Sequence, residues 1–347
     1  MSAAPSAVSA APSRGFRRLA LATGVATFLL IVLGGVVRVS GSGLGCGPAG
    51  SGFHGWPLCE GDLLPGLDLN SVIEYAHRVV AVTVGFMMLA LAVWAWRRYR
   101  GRRGIVLAAT AAVVLVAAQG LLGAATVEEG LDEALVAAHL GLAMVLLGLL
   151  VYVQHASRPG VAGAPPLGGG LGFRPLAATA QGALLATIVA GGYMAGTQNY
   201  GRADYQLGDG AHHACGREFP TCNGDFLPFG IGRLIDIHLT HRVLMYLTSI
   251  LILALVMLVV RRAAGTRLAR MTLAAGGLLL AQVVLGALNV WLEEYEVLIL
   301  AHLTLATILW GNLAALNVSL YPVRAPASSE PAPARPATGR PAEAVTA

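Results

Sequence analysis

Charged side chains are scarce in this chain of 347 residues. Only 12% of the residues are charged, and lysine is missing altogether, so all 23 basic residues are arginine. A soluble globular domain carries roughly 25% charged residues, whereas this chain is 56% hydrophobic with a mean hydropathy of +0.69. The shortage of charge excludes an ordinary soluble domain. The net charge of +5 does not indicate a nucleic-acid partner, because the arginines form short clusters between apolar runs.

Most of the chain consists of long apolar runs. Crossing the hydrocarbon of a bilayer takes about 20 apolar residues in a helix. Eight runs qualify: residues 17–38, 72–96, 104–127, 134–154, 176–197, 234–260, 271–292 and 297–320. No convincing cleavage site follows the first run, so it is predicted to remain as a signal-anchor helix. The sequence therefore predicts an all-α polytopic membrane protein of eight transmembrane helices in the lipid bilayer, with a disordered tail at 322–347.

The connections between the runs separate by charge. Alternate connections hold arginine and no acid: Arg97, Arg98, Arg100, Arg102 and Arg103, then Arg158 and Arg174, then Arg261, Arg262, Arg267 and Arg270. The other connections are acidic, and two of them contain all four cysteines, for which disulfides are permitted on the oxidising side. The positive-inside rule predicts that both termini are cytoplasmic, and we expect the membrane to be that of a bacterial cell.

An internal repeat runs along the whole membrane region. Shifting the chain by about 163 residues aligns PLCEGDLLPG from Pro57 with PTCNGDFLPFG from Pro220, and IEYAHRV from Ile73 with IHLTHRV from Ile237. QGLLGAATV matches QVVLGALNV, AAHLGLA matches LAHLTLA, and the Gly-Gly pair at 34–35 returns at 191–192. We therefore expect two tandem four-helix bundles, residues 17–155 and 176–321, joined by a linker at 156–175 and preceded by a tail at 1–16. Because each half has an even number of helices, a pseudo-twofold axis along the membrane normal is predicted.

The repeat relates four histidines to one another, two in each half of the chain. His77, His139, His241 and His302 lie on helices 2, 4, 6 and 8, about five to seven residues into each. Alternate helices of a bundle face each other diagonally, so each pair of imidazoles is predicted to clamp the iron of one haem, for which histidine is a common axial ligand. Hydrogen bonding between helices is the plainer interpretation. A dinuclear copper or zinc site is a third, but it calls for three or more ligands per metal.

These residues resemble the haem A synthase family over about residues 17–320. The resemblance rests on Gly34, Gly35 and Arg38 at the end of helix 1, the Trp-Pro-Leu-Cys loop from Trp56, the Glu-x-x-His-Arg segment from Glu74, and the four histidines. The family oxidises a ring methyl of haem O, through an alcohol, to the formyl group of haem A. The resemblance implies that His77 and His139 flank the substrate haem, and that His241 and His302 ligate a haem b cofactor.

A difference between the two repeats beside one histidine indicates which half carries out the chemistry. Glu74 lies one turn from His77, whereas its counterpart is His238, so a catalytic role in proton handling is predicted for Glu74. Pairing with Arg78 or stabilising the helix start is the structural interpretation. Arg78 and Arg242 follow a histidine in both halves and are predicted to bind haem propionates, with snorkelling towards the interface as the alternative.

The resemblance also implies the disulfides Cys46–Cys59 and Cys215–Cys222. Family members usually space the first pair six or seven residues apart, as Cys215 and Cys222 are here, but Cys46 and Cys59 lie 13 apart. In the family the first pair has been linked to redox chemistry or electron delivery. In this chain it is equally open to a structural role, and the second pair is predicted to be structural.

Two other classes of protein remain open from the sequence. A dihaem electron carrier resembling cytochrome b561 would use the same two pairs of histidines, and a haem chaperone for oxidase assembly would hold haem loosely. By resemblance, haem O synthase and terminal oxidase assembly factors are candidate partners, together with an electron donor or acceptor and a homo-oligomer. The loop histidines His54, His212 and His213 are predicted to be solvated, and His155 to lie at the interface.

Overall fold

The computed structural model describes residues 11–167, 172–197, 210–292 and 296–323. These form eight α-helices, each long and apolar enough to cross a membrane: α1 Arg14–Val39, α2 Leu69–Arg98, α3 Arg103–Glu128, α4 Glu133–Ala156, α5 Arg174–Gly196, α6 Arg233–Ala263, α7 Arg267–Trp291 and α8 Glu296–Ser319. The described part of the chain contains no strand, only isolated bridges. The predicted all-α membrane fold with eight spans is confirmed. Apart from its first two residues, the predicted disordered tail lies outside the described residues.

Four of the helices, α1, α2, α4 and α7, begin next to a polar side chain that caps their first turn. The Asp68 carboxylate accepts the backbone N–H groups of Asn70 and Ser71, so α2 begins at Leu69. Asp132 does the same at the start of α4. Such caps satisfy N–H groups that have no partner inside the helix, and hydropathy does not register them.

Each half of the chain packs as a ring of four helices. In the first half α1 contacts α2, α2 contacts α3, α3 contacts α4, and α4 returns to α1. The helices α5 to α8 close in the same order. The ring order places α2 across from α4 and α6 across from α8, and these are the four helices that carry the histidines related by the repeat.

The two rings meet through α1, α4, α5 and α8, while α2, α3, α6 and α7 lie towards the outside. Glycine allows this close approach at two equivalent points. A Cβ at Gly35 would lie 2.7 Å from Leu303 on α8, and a Cβ at Gly192 would lie 3.0 Å from Leu140 on α4. Small residues at helix interfaces let backbones approach in membranes. The second glycine of each Gly-Gly pair therefore serves contact between the halves.

Candidate functional site

All four histidines line one cavity of about 810 Å³ that extends through both halves. His77 and His241 lie eight residues after the first residue of their helices, and His139 and His302 lie six residues after theirs. All four helices start at the end of the molecule that carries the cysteine loops, which we call the loop side. At 1.5 Å per residue the imidazoles lie about 9–12 Å along their helices from that end.

A glycine on the preceding helix faces each histidine. The pairs are Gly34 with His77, Gly123 with His139, Gly191 with His241 and Gly286 with His302, with distances from a glycine Cβ position to the imidazole of 3.3, 3.3, 3.0 and 3.1 Å. Any side chain at these positions would press on the ring. The first glycine of each Gly-Gly pair thus accommodates a histidine of its own half. This role was not predicted from the matching segments, although all four glycines recur in the repeat.

The imidazole nitrogens suit metal ligation. The Nδ1–H of His241 donates to the carbonyl of Thr187 at 3.0 Å, which leaves Nε2 for another partner. A bond of this kind orients the histidines that bind metals. The Nδ1 atoms of His139 and His302 are buried and have no hydrogen-bond partner among the described residues. Unpaired buried nitrogens are costly, but this edge of each ring faces Gly123 or Gly286. The Nε2 edge is therefore the one left for a bound group.

Paired imidazoles across a bundle fit a haem better than a bare metal ion. His77 and His139 lie on α2 and α4, across the ring from each other, and line the same cavity. Among the described residues, no group of three His, Cys, Asp or Glu side chains converges in a way that would hold a metal ion. A dinuclear zinc or copper site would need such a group, whereas a haem needs only an axial ligand on each face.

Glu74 and His238 each tie their helix to a loop. Glu74 is only 4% exposed, accepts the backbone N–H of Cys46 at 2.9 Å and pairs with Arg78. His238 is equally buried, and its Nδ1–H donates to the carbonyl of Ala211 at 2.7 Å. Both side chains also line the cavity, in which Glu74 is the only carboxylate among the described lining residues. The contacts expected of a structural role are therefore present, together with access to the cavity.

The two arginines hold the cysteine loops. Arg78 donates to the carbonyl of Leu58 at 2.9 Å, and Arg242 donates to the carbonyls of Thr221 at 2.8 Å and Glu218 at 2.7 Å. Leu58 and Thr221 each precede the second cysteine of their loop. Both arginines line the cavity as well. The sequence suggested propionate contacts for them, and the loop carbonyls are the partners that the structure places there.

Both predicted disulfides, Cys46–Cys59 and Cys215–Cys222, are formed. The longer first loop accommodates its extra residues in a short 3-10 turn, Gly52–His54. In both loops the second cysteine exchanges backbone hydrogen bonds with the aspartate three residues later, Asp62 or Asp225. Trp56 and Phe219, which come from the same loops, line the cavity. The disulfide-bonded loops therefore cover the loop side of the cavity.

The prediction that the loop histidines are solvated is wrong for His212 and His213. Both are half-buried, and His212 also lines the cavity. His212 shares the cavity lining with His241 and His302. Its position depends on the fold of the second loop, and the repeat gave no signal because Gly43 stands at about the same place in the first half.

Comparison with known proteins identifies the family. The family model described as COX15-CtaA, cytochrome oxidase assembly protein, matches residues 17–314. The chain belongs to the COX15-CtaA family. It is similar to proteins named haem A synthase from Halalkalibacterium halodurans (31% identity, covering 69% of this chain and 74% of the relative) and Alkalihalophilus pseudofirmus (32%, 69% and 73%). A haem A synthase from Symbiobacterium thermophilum is 30% identical over 89% of this chain and 97% of its own length.

Proposed function

We propose that this member of the COX15-CtaA family is a haem A synthase. As a membrane oxidoreductase, it would oxidise the ring methyl of haem O, through a hydroxymethyl intermediate, to the formyl group of haem A for terminal oxidase biogenesis. The observation that carries the proposal is the lining of one intramembrane cavity by four histidines, each faced by a glycine, in a chain of this family. The relatives that span most of the chain are themselves named for this activity.

The two halves are assigned different haems. His77 and His139 would hold the iron of the substrate haem, and His241 and His302 would hold haem b, which supplies electron transfer when bound. The asymmetry between Glu74 and His238 supports this order, because oxidation of a methyl group releases protons and only the first half offers a cavity carboxylate among the described residues. Glu74 would accept a proton while Arg78 keeps the carboxylate oriented.

The remaining side chains would position the substrate and exclude water. The glycines Gly34 and Gly123 leave the imidazoles room to lie against α1 and α3, which limits the planes the rings can adopt. The loop closed by Cys46–Cys59 would keep water from the loop side of the site, since Arg78 and Glu74 both bond to it. A dry, preorganised pocket strengthens electrostatic interactions within it.

The repeat supports a symmetrical arrangement of halves. The arginine contact to the loop, the glycine facing each histidine and the glycine contact between halves all recur at equivalent positions. We therefore infer that residues 17–155 and 176–321 are two domains related by a pseudo-twofold axis along the membrane normal. The arginine-rich connections would face the cytoplasm with both termini, and the cysteine loops would lie outside.

To test the proposed function, the chain is expressed in a host that makes haem O, and the extracted haems are identified by their mass. Wild type should yield hydroxylated or formyl haem. His77→Ala should lose product while retaining haem b, and His241→Ala should lose haem b. His155→Ala, on α4 but outside the cavity lining, is the control and should behave as wild type. Two stably bound b haems without any oxidised haem would instead establish an electron carrier and refute the synthase.

A further inference from the structure

The cavity is not equally deep in the two halves. In the first half its lining continues along α2 to Leu89 and along α3 to Val113, whereas in the second half it ends at Thr248 on α6 and Leu279 on α7. At 1.5 Å per residue, Leu89 lies about 18 Å along α2 from His77, but Thr248 lies only about 10 Å from His241. The first half therefore has an extension that the second half lacks among the described residues.

Two glycines open this extension, which we call the α2–α3 slot. It is lined by Val82, Gly85, Phe86, Leu89, Val113 and Gly120. A methyl group at Gly85 or Gly120 would meet no neighbouring atom of the described chain within 4 Å. Each glycine thus has open space at its Cβ position and lines the cavity, in contrast to the four glycines that are pressed against histidines.

Three of the six slot positions, including both glycines, carry a larger side chain in the second half, whereas Gly276 stands there in place of Val113. The repeat places Tyr246, Ser249 and Val283 where the slot has Val82, Gly85 and Gly120. The ring of Tyr246 lies 6.0 Å from that of Phe226, and the Ser249 hydroxyl donates to the Met245 carbonyl at 2.8 Å. Both glycines of the slot are therefore replaced by residues with side chains in the second half.

The slot faces hydrocarbon on its outer side. α2 and α3 are outer helices, and Val82 and Phe86 are 59% and 67% exposed in the middle of a membrane-spanning segment. Its six lining residues are all apolar or glycine. An apolar slot that is open to lipid and continuous with a haem site suits a long hydrocarbon chain attached to a porphyrin.

We propose that the α2–α3 slot holds the isoprenoid side chain of the substrate haem, with the chain lying between α2 and α3 while the iron sits between His77 and His139. This inference rests on the proposed function and names a subsite for it. Haem O carries a long isoprenoid chain on its ring, and haem b has the same ring without that chain. The half assigned to haem O has the extension, and in the half assigned to haem b the described cavity lining ends at a shallower level.

The test compares binding of the two haems to the first half. Protein from a host that makes no haem O, carrying its own haem b, is titrated in detergent with haem O or with further haem b, and binding is followed by difference absorption. Gly85→Leu should weaken haem O binding about tenfold or more and leave haem b binding unchanged, because leucine fills the slot but not the porphyrin site. Gly120→Leu should act the same way from α3. Gly277→Leu, at a lipid-exposed glycine of α7 with open surroundings, is the matched control.

The outcomes separate the subsite from the activity. Unchanged haem O binding in both slot variants, or equal loss of both haems, overturns the slot. Wild type itself should bind haem O about tenfold more tightly than haem b at this site, and equal affinities would overturn the slot even if neither variant folds. Two results together would support the slot and refute the synthase. The variants would selectively lose haem O binding, and wild type would bind haem O without ever oxidising it.

Discussion

The two halves of the molecule share their means of holding a group and differ in what surrounds it. Both place a glycine against each histidine, and both use an arginine to fix a disulfide-bonded loop over the cavity. Only the first half adds a cavity carboxylate, Glu74, and an open slot between two outer helices among the described residues. Features that recur are those that any bound haem would require. Features confined to one half are the ones to connect with chemistry on a substrate.

The carboxylate gives the largest expected contrast between the halves. If Glu74 accepts a proton during oxidation, Glu74→Gln should lower turnover of haem O by about 10²–10³-fold, within the range for general acid–base groups. Haem b content should stay at the wild-type level, since that haem is assigned to the other half. Turnover is measured by mass identification of extracted haems over time.

Glu128→Gln is the matched control for Glu74→Gln. Glu128 also accepts a backbone N–H from the first cysteine loop, that of Gly52 at 3.1 Å, but it does not line the cavity. A purely structural role for Glu74 predicts that both variants lose activity only as far as they lose thermal stability. A fall in turnover at unchanged stability, seen in Glu74→Gln alone, is the result that separates chemistry from loop anchoring.

The glycines that face histidines give a second contrast, of about 10- to 100-fold in haem affinity, as for other changes that misorient a metal ligand. Gly286→Val should weaken haem b binding because its side chain would press on His302. Gly123→Val should leave haem b in place and weaken binding of the substrate haem, because it presses on His139. Absorption spectra and haem titration measure both effects.

Gly277→Val provides the control on the same helix as Gly286, since no neighbour lies within 4 Å of its Cβ position in the described chain. If the halves act independently, each glycine variant should change one haem only. Loss of both haems from either variant would contradict the separate assignment and indicate that the sites depend on each other.

What the sequence could predict followed from local patterns. Hydropathy predicts the eight spans, and the repeat selects His77, His139, His241 and His302 from nine histidines because only these recur inside helices. The α2–α3 slot could not be predicted from the sequence, because an isolated Gly85 in an apolar run does not reveal which face of α2 is left open. The position of His212 depends on the path of a loop. The loop contacts of Arg78 and Arg242 depend on which backbone carbonyls of the loops come close to the helices. Such long-range placements are set by packing, not by periodicity.

The smallest expected effect concerns the contact between the halves. The indole N–H of Trp310 on α8 donates to the carbonyl of Met144 on α4 at 2.6 Å, and Trp310 is only 4% exposed. The equivalent position in the first half is Leu147, so this hydrogen bond has no symmetrical counterpart. Trp310→Phe should lower the free energy of unfolding by about 1 kcal/mol, the usual net value of one buried hydrogen bond. Haem content should not change, because Trp310 does not line the cavity.

Trp96→Phe is the control for Trp310→Phe, because its indole N–H donates to Thr110 within the first half and the side chain is 50% exposed. Unfolding in detergent, followed by helical circular dichroism together with the haem b absorption band, measures both variants. A larger loss for Trp310→Phe than for Trp96→Phe would show that the asymmetric bond stabilises the interface between the halves. Equal losses would mean that glycine-mediated packing of α1 on α8 and α4 on α5 holds the halves together without it.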